Sequence, residues 1–186
     1  MKFTRRVLAS VLMLCLLVPA QSLADKNIFT ETYDIDTAPC EGLYLNGITY
    51  AFSVAESPSL DCNAGTGGPG VTNNIEAPNI EGTTAGVLHL RFDVPTTEFG
   101  FGVAQSTVTP QLQSVIIDLF RPGVGLLREE LFLDTTNDPE FVGGRFDYSG
   151  PAVRTVSIRF NVPMPIFFRF AIDNVTYFRP PGQVKK

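Results

Sequence analysis

The chain has 186 residues and a formal net charge of −5, with 19 acidic and 14 basic side chains. This acidic balance lacks the basic surface that binding to nucleic acid or to an anionic lipid surface requires. The single histidine, His89, leaves little material for a histidine-based metal centre or a Ser-His-acid triad.

The first 24 residues predict a secretory signal peptide. Arg5 and Arg6 precede an apolar run over 7–18, which is followed by a small-x-small cleavage motif that ends at Ala24. The run is about a dozen residues long, whereas a membrane-spanning helix needs roughly 20. We therefore expect a secreted protein, periplasmic or extracellular, and both general and twin-arginine export stay open. No second apolar run of spanning length follows.

Two cysteines remain after the signal peptide is removed, Cys40 and Cys62. In an oxidising compartment an even pair predicts a disulfide, because thiols there are not kept reduced. A bridge between them closes a loop with a sequence separation of 22. The chain-entropy model gives such a loop a stabilisation of roughly 3 kcal/mol.

Alternation of apolar and polar residues predicts β-strands along the mature chain. Over 86–94, Leu88, Leu90 and Phe92 share one face, and Pro95 is predicted to end the strand. Over 98–104, glycines alternate with apolar residues and would let another backbone or a large ring approach closely. Arg121 to Gly125 predicts a hairpin turn. The remaining predicted strands are 28–34, 47–54, 114–120, 126–133, 145–148, 154–162 and 166–178.

These strands predict an all-β fold, a two-sheet antiparallel sandwich that is jelly-roll-like. We place the signal peptide at 1–24, a single β-sandwich domain at 25–182 and a short basic tail at 183–186.

The stretch 56–85 is rich in Gly, Asn, Pro and Thr and predicts a long loop. Two interpretations stay open. It is a flexible surface excursion pinned by the disulfide, or it is a ligand-binding loop. The residues that would bind a ligand are Asn73, Asn74, Glu76, Asn79 and Glu81.

Catalytic constellations are weakly supported. Alternation places His89 on the polar face of its strand, which predicts a solvated histidine, and no nucleophile elbow is present. Paired carboxylates can hydrolyse glycosides, but sequence alone does not place any two at the required separation. The sequence therefore predicts a protein that is not an enzyme. The carboxylates available in principle are Asp118, Glu129, Glu130 and Asp147.

The segment 141–182 resembles the C-terminal part of bacterial secreted sandwich domains, in particular ectodomains of exosortase-sorted (PEP-CTERM) proteins. Its closing Ile-Asp-Asn-Val strand is also similar to that of jelly-roll carbohydrate-binding modules. No sorting signal follows Gly182, so free secretion is expected. The matching residues are Gly144, Phe146, Ser149, Pro151, Val156, Ile158, Phe170, Ile172, Asp173, Asn174, Val175 and Tyr177.

The resemblance implies a calcium ion as the one cofactor, with Asp173 as a ligand. A hydrogen-bonded Asp173 that fixes the strand end, or an ion pair with Arg169, are the alternatives. We expect a bulge after Asp173, because Val175 and Phe178 both favour burial. The N-terminal carboxylates that could share the ion are Asp34 and Asp36, with Glu31 and Glu41 beside them.

The resemblance also implies a secreted, non-catalytic binding module with carbohydrate as the ligand. The alternative is a structural or matrix-type protein of the cell surface that acts through protein interactions. The expected partners are thus glycans or cell-surface proteins. The chain has no tryptophan to stack on a sugar, so tyrosines would have to serve.

Overall fold

The computed structural model describes residues 28–66, 75–106, 113–135, 140–162 and 168–180. The proposed signal peptide and basic tail lie outside these residues. Within them the chain forms only strands and turns, and none of its elements is a helix that could cross a membrane. The strands are β1 Ile28–Glu31, β2 Ala38–Pro39, β3 Tyr44–Leu45, β4 Ile48–Val54, β5 Ser57–Pro58, β6 Cys62–Thr66, β7 Asn79–Thr83, β8 Gly86–Ser106, β9 Gln113–Arg121, β10 Gly125–Thr135, β11 Phe141–Asn161 and β12 Arg169–Phe178.

Two long strands, β8 and β11, run through both layers of the sandwich, and every pairing is antiparallel. In the first sheet, the N-terminal half of β8 lies between β4 and the C-terminal half of β11, and β9 and β10 extend that sheet. In the second sheet, the other half of β8 lies between β11 and β12. Strands β7, β6 and β2 then continue outward from β12, and β1 pairs with the end of β12.

The predicted all-β antiparallel sandwich is confirmed, but two strand ends are corrected. Strand β8 does not end at Pro95, and 145–148 and 154–162 belong to one strand, β11. The register between β8 and β11 shifts around Val153, where the pairing passes from Thr96 to Arg91. Pro95 lies in this bend, so its missing N–H interrupts none of the regular ladder.

The core lies between the two sheets and is rich in aromatic rings. Leu88, Leu90 and Phe92 are buried, as their alternation predicts. The ring of Phe170 from the second sheet lies 4.2 Å from that of Phe160 and 5.9 Å from that of Phe52, both from the first. These contacts join the layers, because each ring buries its surface against the opposite sheet.

The described parts of the segment 56–85, residues 56–66 and 75–85, are more ordered than predicted. They contain β5, β6 and β7, and β7 pairs with β12 while β6 pairs with β7. The predicted disulfide between Cys40 and Cys62 is present, with 5.4 Å between the Cα atoms, and both residues are fully buried. The Cys40 N–H also donates to the Cys62 carbonyl oxygen at 2.9 Å. The bridge thus fastens β6 to the N-terminal segment instead of pinning a loose loop.

Candidate functional site

A β-bulge follows Asp173, as the sequence predicts. Asp173 pairs with Gly102 and Thr176 pairs with Gly100, so β12 carries one extra residue. The backbone bends at Asn174, whose φ is 49°. Within the bulge Val175 turns back to the core and is fully buried, whereas Phe178, which was also expected to be buried, is only partly so.

Asp173 itself is buried, with 2% of its surface exposed. Its Oδ2 accepts hydrogen bonds from the Glu76 N–H at 2.8 Å and from Asn174 Nδ2 at 3.1 Å. Its Oδ1 is buried and accepts no hydrogen bond from the described residues. Burial raises the pKa of this carboxyl, because the charged form loses its hydration. Of the alternatives open in sequence, the hydrogen-bonded aspartate describes this geometry.

The alternative of an ion pair between Asp173 and Arg169 is wrong, because Arg169 pairs with other carboxylates. Arg169 Nε donates to Glu81 Oε1 at 3.0 Å, and its Nη1 donates to Asp61 Oδ1 at 2.9 Å. Period-2 alternation points Asp173 out of the core, but another segment covers that face of β12. Ile75 packs there against buried Ala104 and Ala171, and the N–H of the next residue, Glu76, donates to the carboxylate.

The residues expected to hold calcium are not brought together. Asp34 and Asp36 are exposed, and no three His, Cys, Asp or Glu residues of the described ranges form a group that could hold a metal ion. The buried N-terminal carboxylate is Glu31 instead, and its oxygens accept from the Tyr33 N–H at 3.2 Å and from Asn46 Nδ2 at 2.7 Å. Asp173 Oδ1 would supply only one oxygen ligand to a calcium ion. Calcium binding at Asp173 therefore stays a prediction.

The proposed ligand-binding loop divides into two parts. Asn73 and Asn74 lie outside the described residues. Asn79 is fully buried and its Nδ2 donates to the Glu76 carbonyl oxygen at 3.3 Å, while Glu81 accepts from Arg169. These contacts fasten the segment to β12. A ligand-binding role for the loop stays a prediction.

His89 is half-buried between two serines. Its Nε2 lies 3.2 Å from Ser53 Oγ and its Nδ1 lies 2.8 Å from Ser157 Oγ. The solvated position expected from sequence is therefore corrected, because neighbouring strands enclose the ring. Burial lowers its pKa, so the imidazole is neutral at pH 7. Since both ring nitrogens contact serines, no carboxylate orients this histidine as a triad requires.

Two of the carboxylates considered for hydrolysis are held in structural contacts. Asp118 accepts from Arg128 Nε at 2.7 Å and Nη2 at 3.0 Å, and also from Arg159. These guanidinium groups hold its pKa below the ordinary value, so it stays ionised and cannot donate a proton. Glu130 accepts from Ser114 Oγ at 2.6 Å.

A pocket of about 430 Å³ lies on the second sheet. Its centre is an ion pair on β11, where Arg145 Nε donates to Asp147 Oδ1 at 3.1 Å and Oδ2 at 3.2 Å. Arg145 Nη2 also donates to Thr176 Oγ1 on β12 at 3.1 Å, and so spans the intervening strand β8. The pocket is lined by Ile28, Glu98, Phe99, Arg145, Asp147, Tyr148, Ser149, Thr176, Tyr177 and Phe178.

Gly100 on β8 makes room for this ion pair. A Cβ at that position would overlap Asp147 Oδ1 and would lie 2.7 Å from the Phe146 carbonyl oxygen and 3.1 Å from Arg145 Nη2. The close approach predicted for the glycines of this strand is therefore real here. The groups that approach are the side chains of an ion pair and the neighbouring backbone.

The ring of Tyr148, which we call the aromatic wall, lines both this pocket and a second one of about 370 Å³. Its ring centroid lies 5.4 Å from that of Phe99, and its hydroxyl donates to the Pro151 carbonyl oxygen at 2.7 Å, which fixes the ring. Both pockets also share Asp147 and Ser149. Sequence reasoning placed a strand here and named Asp147 as a candidate carboxylate and Ser149 as part of the resemblance, but it did not single out Arg145 or Tyr148. The alternation that puts Arg145 and Asp147 on one face was the available signal.

The chain matches no protein-family model and no curated protein, so the resemblance to exosortase-sorted ectodomains stays a prediction. Among solved structures it is similar to the K1 cleaved adhesin domain of Lys-gingipain from Porphyromonas gingivalis W83. The TM-score is 0.52 at 11% identity, over 83% of this chain and 99% of that one. At this identity the likeness concerns the fold alone.

Carbohydrate-binding modules also appear among the similar structures, at lower scores. A mutant of a family 29 module has a TM-score of 0.42 and 11% identity, over 82% of this chain and 92% of that one. TmCBM61 in complex with beta-1,4-galactotriose has a TM-score of 0.42 and 12% identity, over 70% and 88%. Scores this low support no argument about function.

Proposed function

We propose that this protein is a secreted, non-catalytic module that binds a glycan in the pocket at Arg145 and Asp147. The observation that carries the proposal is the combination of an exposed ion pair with an aromatic wall in one concave site. A sugar ring presents an apolar C–H face that packs on aromatic rings and a rim of hydroxyls that hydrogen-bond to charged groups. The disulfide is consistent with an oxidising compartment.

The polar groups of the pocket have hydrogen-bonding positions left for a ligand. The side chain of Asp147 is 66% exposed, and its oxygens offer more acceptor positions than the two bonds from Arg145 use. The Arg145 side chain is 32% exposed and is held in place by Asp147 on its own strand and by Thr176 on β12. Because these groups stand on strands and not on a mobile loop, little conformational entropy is lost on binding.

A binding role without catalysis is favoured by where the titratable groups lie. Glycoside hydrolysis needs a carboxylic acid that stays protonated, with a second carboxylate across the bond. Among the described carboxyls the one with a raised pKa is that of Asp173, which accepts from the Glu76 N–H and does not line the pocket. Asp118 is kept ionised by two arginines.

The second candidate, a structural or matrix-type protein, is supported by a separate feature. Strand β10 forms an outer edge of the first sheet and carries exposed apolar side chains. Such an edge favours association with another protein chain. The two roles use different surfaces and are tested separately.

The pocket is tested by binding of the purified protein to a panel of polysaccharides, in calcium and in chelator. Arg145→Ala and Asp147→Asn should each weaken binding about tenfold or more, since a hydrogen bond to a charged group contributes roughly 1.5–3 kcal/mol. Arg91→Ala and Asp134→Asn are matched controls, because these exposed residues lie outside the pocket. Binding that survives both pocket variants would overturn the site, and the absence of any glycan ligand would overturn the function.

A further inference from the structure

Strand β10 is an exposed edge of the first sheet. Over 125–133 it pairs with β9 on one side, and no strand of the described ranges pairs with its other side there. Beyond Leu133 the strand leaves β9, and Asp134 and Thr135 pair with β11 instead. An 11-residue strand with an unpaired row of backbone N–H and C=O groups is a template for another strand.

This edge strand carries an exposed apolar side chain near each of its ends. Leu126 is 51% exposed and Phe132 is 60% exposed, and both lie on the outer face of the sheet. Arg128 and Glu130 stand between them on the same face and are also exposed. An exposed aliphatic group and an exposed aromatic group at the two ends of one strand offer surface that pairing would bury.

The residue sequence of β10 is complementary to that of a second, antiparallel copy of the same strand. If two copies of β10 are placed antiparallel about a two-fold axis at Glu129, every opposite pair lies on one face of the sheet, as the period of 2 requires. Apolar residues then face apolar residues, and opposite charges meet on both sides of the centre. The opposite pairs are Leu126 with Phe132, Leu127 with Leu131 and Arg128 with Glu130.

We propose that two copies of this protein associate through β10, which joins their first sheets into one continuous sheet with Glu129 at the two-fold axis. The charge pattern singles out a second copy as the partner, because Arg128 meets Glu130 twice in this register. A shift of two residues to a centre at Leu127 removes that match and places Arg128 opposite Leu126. The two Glu129 side chains meet at the centre and oppose pairing, so the dimer is reversible.

The affinity is tested by sedimentation of the purified protein over a concentration series up to about 1 mM, the range of weak association. We expect a monomer–dimer equilibrium, and Phe132→Lys should weaken it about tenfold or more, since the substituted residue occurs in two symmetric pairs. Leu60→Lys is the matched control, because Leu60 is 69% exposed and lies outside β10. A protein that stays monomeric, or a dimer that Phe132→Lys leaves unchanged, overturns the proposal.

The register is tested by oxidation of single cysteine variants. At the two-fold axis, residue 129 lies opposite its own copy, about 4.5–5.5 Å away between Cα atoms, which suits a disulfide. Glu129→Cys should therefore form a covalent dimer. Glu130→Cys should not, because residue 130 and its copy are displaced by two residues along each strand and lie more than about 7 Å apart. Equal cross-linking of both variants, or preferential cross-linking of Glu130→Cys, contradicts the register.

Discussion

Replacing Asp173 by asparagine tests why a carboxylate occupies the middle of an apolar strand. In the chelated protein, the amide oxygen takes over the hydrogen bond from the Glu76 N–H, and the shape of the side chain is kept. The change removes a buried charge with one unpartnered oxygen. A buried unsatisfied group costs roughly 1–3 kcal/mol, and more when it is charged. We therefore expect Asp173→Asn to raise the free energy of unfolding at pH 7 by about 1 kcal/mol, because a neutral group replaces a charged one.

The stability difference between the Asp173→Asn variant and the native protein should depend on pH in a definite direction. Burial raises the pKa of folded Asp173 above its ordinary value of 3.8. The protonated form then contributes stability that is fully present below pH 3.8 and is lost as the pH rises through the folded pKa. The asparagine variant has no proton to lose at this position. Its advantage over the native protein should therefore grow between about pH 4 and pH 7.

If calcium binds at Asp173, the native protein becomes more stable than the Asp173→Asn variant in calcium. A ligand present at 100 times its dissociation constant stabilises the folded state by about 2.7 kcal/mol, and the variant would lose this gain. The assay is urea denaturation of both proteins in calcium and in chelator. Asp34→Asn and Asp36→Asn serve as further variants, because these exposed residues would respond only as ligands. A variant less stable than the native protein in chelator at pH 7 refutes the argument from burial, and an unchanged calcium response excludes Asp173 as a ligand.

Three further variants probe the fold. The pair Cys40→Ala and Cys62→Ala should lower the free energy of unfolding in urea by about 3 kcal/mol, and a loss under about 1 kcal/mol would contradict the loop-closure argument. Asp118→Asn should cost about 1.5–3 kcal/mol at pH 7. Since the pKa of Asp118 is lowered, this loss should disappear as the pH falls through the folded pKa, below 3.8. Gly100→Ala should cost about 1–3 kcal/mol in a thermal melt and weaken glycan binding, because the new Cβ overlaps the ion pair. Gly144→Ala is its control, and equal losses would show that Gly100 has no special role.

Most of the strand framework could be predicted from local patterns. Apolar alternation identified the buried face of Leu88 and Leu90, and the turn residues from Arg121 to Gly125 identified a hairpin that the structure confirms. The bulge after Asp173 was predicted from the burial expected of Val175 and Phe178; the bulge is present and Val175 is buried, but Phe178 is only partly buried. Each of these signals lies within a few residues of the chain, because side-chain direction and turn geometry are local properties.

The errors occurred where a distant segment decides the environment. Alternation points Asp173 out of the core, but the carboxylate is buried and accepts from the Glu76 N–H, 97 residues away in sequence. Segment 56–85 was predicted as a loop, although β7 is a strand because β12 offers its edge. Pro95 was predicted to end a strand that continues, since the pairing passes from one sheet to the other at that point.

The sequence by itself determined the all-β class, the disulfide and the order of apolar and charged residues along β10. The tertiary structure decided what those patterns do. Gly100 lies beneath Arg145 and Asp147 only because β8 and β11 adopt one register, and β10 is an exposed edge only because no other described strand pairs along 125–133. Both facts depend on pairing between segments far apart in sequence, and no local preference of the chain encodes that pairing.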